Sequence, residues 1–267
     1  GHEPHTSCMI CMVKDVKGDR LIPACSAPAT AGMQIETDSA DVLESRQTTI
    51  EMLLSEQLGD CEGPCEVACP AQIHIPGVIR KLLAGDHEGA AAIYRDTQTL
   101  PGIPCTDCPG RCEKPCRRKQ IDSAVAIRAM MLYAASALAE DYEPPPPRDK
   151  RFNCVVGRLH DDDKAGVMQA AADYGRTEPA AGEVFNAAEA AGEAARCLHC
   201  DCRKPATCRL RLYADRYGAR RSRYKAVTRK AVRVIQDHPN VVYEPGKCIK
   251  CGICLKLTEA AGEPLGL

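Results

Sequence analysis

Cys61-Glu62-Gly63-Pro64-Cys65-Glu66-Val67-Ala68-Cys69-Pro70 and Cys105-Thr106-Asp107-Cys108-Pro109-Gly110-Arg111-Cys112-Glu113-Lys114-Pro115-Cys116 are the stretches whose reading decides the fold. Cysteines three or four residues apart face a common point more naturally than they bridge one another. The chain holds 18 cysteines in 267 residues. Outside these two runs they gather as Cys8/Cys11/Cys25, Cys197/Cys200/Cys202/Cys208 and Cys248/Cys251/Cys254, with Cys154 alone. Thiols this dense are disulfides, zinc ligands or iron–sulfur ligands.

Disulfide frameworks suit small secreted domains that cannot build a core. This chain is long enough for two or more domains, and no signal peptide is visible in it, so reduced thiols and a cytoplasmic location are expected. The sequence opens on Gly1 rather than Met and ends on an unfinished cysteine motif. Both native ends are therefore expected to lie beyond it. Net charge is −1, so the chain as a whole is not built for nucleic acid. The longest apolar stretch, 124–139, is interrupted by Arg128 and is too short to span a membrane. Trp is absent and aromatics are 4% of residues, which predicts a small aliphatic core supplemented by thiolate cages.

Patterning predicts an α+β chain, mostly α. Met9–Val16 and Arg20–Ala24 read as extended runs around a Lys17-Gly18-Asp19 turn. From Ser39, a candidate cap, Val42, Leu43, Ile50, Leu53, Leu54 and Leu58 form a helical stripe ending at Gly59. Pro76 suits a helix's first turn and Gly85 its stop. Further helices are expected over 87–94, from Asp122 or Ser123 to about Glu140, and after Asn186. Pro144–Pro147 reads as a polyproline linker. Residues 148–185 carry little signal. The expected division is 1–38, a small β unit; 39–142, a helical domain; 143–185, a linker; and 186–267, a C-terminal cysteine-rich segment with a basic stretch.

Cys8-x2-Cys11-x13-Cys25, ending in Leu21-Ile22-Pro23-Ala24-Cys25, resembles the β-grasp-like [2Fe–2S] domain that opens the large iron–sulfur subunit of respiratory complex I and iron-only hydrogenases. The family's first cysteine would fall before Gly1. The two runs quoted at the outset, with Ala71-x4-Pro76, Gly85-Asp86 and Val125-Ala126-Ile127-Arg128, resemble the helical domain of the glutamate synthase small subunit and dihydropyrimidine dehydrogenase over about residues 55–140. That resemblance implies two [4Fe–4S] clusters with interleaved ligands: Cys61, Cys65 and Cys116 for one, Cys69, Cys108 and Cys112 for the other. The family's leading cysteine is missing near Gln57–Leu58. Its non-cysteine fourth ligand falls near Met131. Cys105 is extra and can fill one vacancy.

Cys197, Cys200, Cys202 and Cys208 suffice for one [4Fe–4S] cluster or one zinc, with His199 an alternative ligand or a solvated loop histidine. Cys248-x2-Cys251-x2-Cys254 opens a ferredoxin-type run, with Gly252 allowing a tight wrap, but Leu257-Thr258 stands where a fourth cysteine would follow. Cys154 reads as a buried free thiol.

After the proline linker there is no Gly-x-Gly-x-x-Gly, so no FAD or NAD site is expected in this chain. Nor does the sequence contain a catalytic motif. Residues 203–233 are strongly basic, with Arg203, Lys204, Arg209, Arg211, Arg216, Arg220, Arg221, Arg223, Lys225, Arg229, Lys230 and Arg233 against Asp215. Partner docking, nucleic-acid binding with the interleaved tyrosines and a plain solvated face all fit such a run.

The expectation is an electron-relay subunit with about three or four [4Fe–4S] clusters and one [2Fe–2S] cluster. Its expected partners are a flavin and NAD(P)H-binding subunit and a hydrogenase, formate dehydrogenase or reductase subunit, not nucleic acid or membrane. The competing class is a zinc-stabilised nucleic-acid-binding or scaffold protein.

Overall fold

A computed structural model describes residues 6, 8–136, 142–168, 175–180, 182, 184–225, 229–238, 241–249 and 252–262. Among them the chain is mostly helical with a small antiparallel sheet, and it divides into two compact units.

The first unit comprises the described residues of 1–57, 207–230 and 247–267. Strands β1 (Met12–Asp15) and β2 (Arg20–Pro23) form the expected hairpin, with Val13 opposite Ile22. A third strand, β3 (Ile35–Glu36), pairs antiparallel with the other edge of β1 and was not legible in the sequence. Helix α1 (Ala40–Glu56) packs on β1. Its N-cap is Ser39, as the sequence predicts, although the hydroxyl makes no capping bond.

The stripe of α1 that faces inward is Val42, Arg46, Ile50 and Leu54, spaced by four. The three apolar members have no exposed surface, and each contributes roughly 1.5–3 kcal/mol by leaving water. Arg46 takes the fourth place by donating from Nε and Nη2 to the Met12 carbonyl at 3.1 and 2.8 Å. Leu43, counted in the predicted stripe, is 42% exposed. Helix α8 (Arg209–Arg216) packs on α1. Helix α9 (Ile253–Ala260) starts after Gly252, whose φ of +73° only glycine adopts readily.

The second unit comprises the described residues of 58–206 and 231–246. It contains α2 (Pro64–Val67), α3 (Ile75–Leu83), α4 (His87–Thr97), α5 (Ile127–Ala135), α6 (Asp161–Met168), α7 (Ala187–Ala194) and a ribbon of β4 (Ile235–His238) with β5 (Val241–Tyr243). Helix α3 is the hub, packed against α4, α5 and α7. It begins with Pro76 in its first turn and stops before Gly85 at φ +70°. Asp86 caps α4 by accepting from the Gly89 N–H at 2.8 Å. Asn186 caps α7 in a reciprocal box with Glu189.

Helix α5 starts at Ile127, later than the sequence pattern suggests. The reason is polar. Asp122 accepts from Arg118 Nε and Nη2 at 2.8 and 2.7 Å and from Arg196 Nη2 at 3.1 Å. The Ala126 N–H donates to Glu193 at 2.8 Å. These bonds hold 122–126 out of the helix. The helix α6 and the β4–β5 ribbon gave no recognisable sequence pattern. No helix among the described residues is long and apolar enough to cross a membrane.

Candidate metal centres

Helix α2 is a single turn that carries Cys65 and ends just before Cys69. Gly63 caps it with Pro64 in the first turn. A Cβ on Gly63 would sit 3.0 Å from Pro76 and 3.4 Å from the Cys65 Sγ, so the tight backbone approach that seats Cys65 against α3 favours glycine.

Cys65 belongs to one set of thiols. Together with Cys116, Cys197 and Cys200 it lines an apolar cavity walled by Pro76, Ile79 and Ile127. Burial pushes the Cys65 thiol well above its ordinary range, and Cys197, Cys200, Cys116 and, last, Cys112 of the neighbouring run push it further. Burial also raises Cys197, with Cys200 the next cause. Cys200 is pushed up to about 12 by burial, opposed by the Arg117 guanidinium beside it.

Cys69 belongs to a second set, with Cys105, Cys108 and Cys112. Burial raises the Cys112 thiol, followed by Glu113 and then Cys69, Cys105 and Cys108. Cys105 is pushed up to about 11 by burial, partly offset by Tyr94, whose hydroxyl donates to its Sγ at 3.8 Å. Burial raises Cys69, opposed by the Ile73, Ala71 and Gln72 N–H groups.

The two sets interleave. Cys65 and Cys69 go to different sets, as do Cys112 and Cys116. Each set therefore closes long loops of chain, and metal binding would hold α2, the 105–120 loop and the end of α7 together. Buried thiols in contact repel one another as thiolates, so they become ligands only as a cation displaces their protons.

Four cysteines with no other donor are the ligand set of a [4Fe–4S] cluster. Tetrahedral zinc can also take four thiolates, but it draws them to about 2.3 Å from one point. Among the described residues no three Cys, His, Asp or Glu side chains converge on a point that could hold a single ion. The first set lines a cavity, as the ligands of a cluster would.

Ion pairs surround the first set. Asp60 and Arg117, 2% and 5% exposed, form a two-point pair. Arg80 does the same with Asp201, at 2.7 and 2.9 Å. Arg196, fully buried, donates to Glu193 at 2.7 Å. None of these pairs was picked out from the sequence. The available signal was adjacency, in Cys116-Arg117, Arg196-Cys197 and Cys200-Asp201.

The remaining cysteines lie as follows. The Cys61 Sγ accepts from the Cys154 N–H at 3.3 Å, its own N–H donates to the Cys154 carbonyl, and its carbonyl accepts from the Cys202 N–H. Cys154 is 2% exposed. Cys61 and Cys202 thus meet through backbone bonds, while Cys208 caps α8 in the first unit. His199 sits at φ +45°, with Nδ1 buried and unpartnered among the described residues. Burial lowers its pKa to about 4.

In the first unit, the exposed Cys25 thiol is raised chiefly by its hydrogen bond with Cys11, and also by Cys8, which brings these three together. Cys8 and Cys248 line one hollow of about 300 Å³ beside Met52 and Leu53 of α1. Cys254 is exposed, and Cys251 lies outside the described residues.

Residues 45–142 match the family model described as dihydropyrimidine dehydrogenase domain II, 4Fe-4S cluster. The chain is 32% identical over 99 residues to the NADPH-Fe(3+) oxidoreductase subunit beta of Geobacter sulfurreducens, covering 35% of this chain and 15% of that protein. It is 36% identical over 80 residues to the NADP(+)-dependent formate dehydrogenase subunit beta of Moorella thermoacetica, covering 30% and 11%. It is 40% identical over 72 residues to the NADP-reducing hydrogenase subunit HndD of Solidesulfovibrio fructosivorans, covering 25% and 12%. The matches thus take in less than a sixth of each relative's length.

Proposed function

We propose that this chain is an electron-relay segment of a larger, cytoplasmic, NAD(P)H-linked oxidoreductase. The observation that carries the reading is the pair of four-thiol sets, Cys65/Cys116/Cys197/Cys200 and Cys69/Cys105/Cys108/Cys112. In this reading each set holds one [4Fe–4S] cluster. Cys8, Cys11 and Cys25 contribute to a [2Fe–2S] centre, and Cys248 and Cys254 to a further centre.

Bound there, the clusters would supply storage and transfer of single electrons. The chain's residues do the rest. Ile79 and Ile127 exclude water from the first set, and Tyr94 holds a donor on a sulfur of the second. Such burial and hydrogen bonding tune reduction potential.

Flavin and nucleotide chemistry are assigned to a partner subunit or to other parts of the polypeptide. Support comes from the printed names of the relatives, which include NADPH-linked, NADP-reducing and formate dehydrogenase subunits. A hydrogenase, formate dehydrogenase or other reductase subunit stands at the other end of the relay. The exposed cations Arg216, Arg220 and Arg223 offer an acidic partner surface a docking face.

The test is iron and acid-labile sulfide content of anaerobically purified protein, with EPR of the dithionite-reduced sample. Iron matched by sulfide, with more than one reduced-cluster signal, is expected. Zinc without sulfide would replace this reading with a zinc-stabilised scaffold.

A further inference from the structure

Arg117 follows Cys116 directly and lies in the wall of the cavity lined by the first thiol set. Its guanidinium is 5% exposed, and most of its donors are committed. Nε donates to the Gly157 carbonyl at 3.0 Å. Nη1 and Nη2 each donate to one oxygen of Asp60, the second at 2.9 Å. Asp60 is fixed in turn by the Val156 N–H at 2.7 Å.

An arginine carries five N–H donors in a rigid fork. Three are accounted for by Gly157 and Asp60. The guanidinium stands beside Cys200 in the wall of the same cavity. Asp60 therefore neutralises the cation while locking its orientation, and the fork keeps N–H donors beside a ligand sulfur.

Reduction adds negative charge to a thiolate-ligated cluster. A donor fixed on one of its sulfurs stabilises the reduced form more than the oxidised form. In the second set the donor is the neutral Tyr94 hydroxyl, which bonds the Cys105 Sγ at 3.8 Å.

We propose that Arg117, held by Asp60 and the Gly157 carbonyl, is a positioning residue that keeps N–H donors beside the Cys200 sulfur and raises the reduction potential of the cluster held by Cys65, Cys116, Cys197 and Cys200. This rests on the electron-relay reading above.

The test is an EPR-monitored redox titration of the purified chain, with the relevant signal identified as the one lost in Cys200→Ser. Removing Arg117 alone would strand the buried Asp60 carboxylate. The informative variants are therefore the neutral pair Asp60→Asn/Arg117→Gln and the conservative Arg117→Lys. In the neutral pair the midpoint of that signal is expected to fall while the signal lost in Cys69→Ser keeps its midpoint. Arg117→Lys, which retains donors and charge, is expected to lie between the neutral pair and the parent.

An unchanged midpoint in a neutral pair that retains its iron would overturn the proposal. So would loss of this cluster from both variants, which would make Arg117 a residue of assembly rather than of potential. A parent protein without iron and sulfide would instead remove the relay reading itself.

Discussion

Arg80, in the middle of α3, grips Asp201 with two hydrogen bonds, Nη1 to Oδ1 at 2.7 Å and Nη2 to Oδ2 at 2.9 Å. Asp201 follows Cys200 directly and its side chain is 1% exposed. The pair ties the loop that carries Cys197 and Cys200 to the helix that walls their cavity. Those two thiols lie outside residues 45–142, the part of the chain that matches the 4Fe-4S family model.

Arg80→Met should therefore loosen the first set selectively. It leaves a buried carboxylate unpaired, at a cost of about 3 kcal/mol, the low end for such pairs because the Arg80 side chain is 24% exposed. The expected result is faster loss of the Cys65-set EPR signal on incubation with an iron chelator, with the Cys69-set signal decaying as in the parent.

Glu193 is a second anchor. Fully buried, it accepts from the Ala126 N–H at 2.8 Å, the Thr177 N–H at 2.7 Å and Arg196 at 2.7 Å. Glu193→Ala orphans two N–H groups and removes one partner of a buried arginine that keeps Asp122. A loss of about 3 kcal/mol is expected. It should register as a lower midpoint in anaerobic guanidinium unfolding. An unchanged midpoint would mean that α7 is not held by this carboxylate.

In the first unit, Lys14 of β1 bonds Asp41 of α1 at 2.9 Å and Asp19 of the hairpin turn at 3.0 Å. The Asp41 carboxyl is lowered from its ordinary 3.8 to about 2, by the Ser39 hydroxyl beside it and by its bond with Lys14. A depressed carboxyl favours the folded form above the ordinary value, and that contribution is lost as pH falls from about 3.8 to about 2. Lys14→Met should move the acid-induced loss of far-UV CD signal to higher pH in an acid-jump experiment. Its absence would show that the pair contributes nothing to acid resistance.

If the proposed flavin-bearing subunit docks on this face, charge reversal of Arg216, Arg220 and Arg223, all exposed, to glutamate should weaken its binding at low salt. The folded chain should be unaffected, since the bond that 220 makes to Glu51 runs through its backbone N–H at 3.0 Å. Complex assembly that is unchanged and insensitive to salt would reduce this face to a solvated surface.

Much of this was legible in the sequence because local rules suffice for it. The Lys17-Gly18-Asp19 turn, Pro76 in the first turn of α3, Gly85 after it and the Asn186 cap each act within a few residues. What stayed hidden depends on distant partners. The start of α5 is set by Arg196 and Glu193, some 70 residues away in the chain. The grouping of Cys197 and Cys200 with Cys65 depends on α7 packing against α3. Spacing alone puts those two cysteines with Cys202 and Cys208. Arg46 was passed over in α1 because a carbonyl partner on another strand is invisible to hydrophobic periodicity.

The most direct test of the two-set account is EPR of dithionite-reduced protein across four single variants, Cys65→Ser, Cys197→Ser, Cys69→Ser and Cys105→Ser, each with its iron measured. The account predicts that Cys65→Ser and Cys197→Ser lose one and the same signal, and that Cys69→Ser and Cys105→Ser lose a different one. If Cys65→Ser and Cys69→Ser removed the same signal, or Cys197→Ser spared the one that Cys65→Ser removes, the two interleaved cages would be wrong.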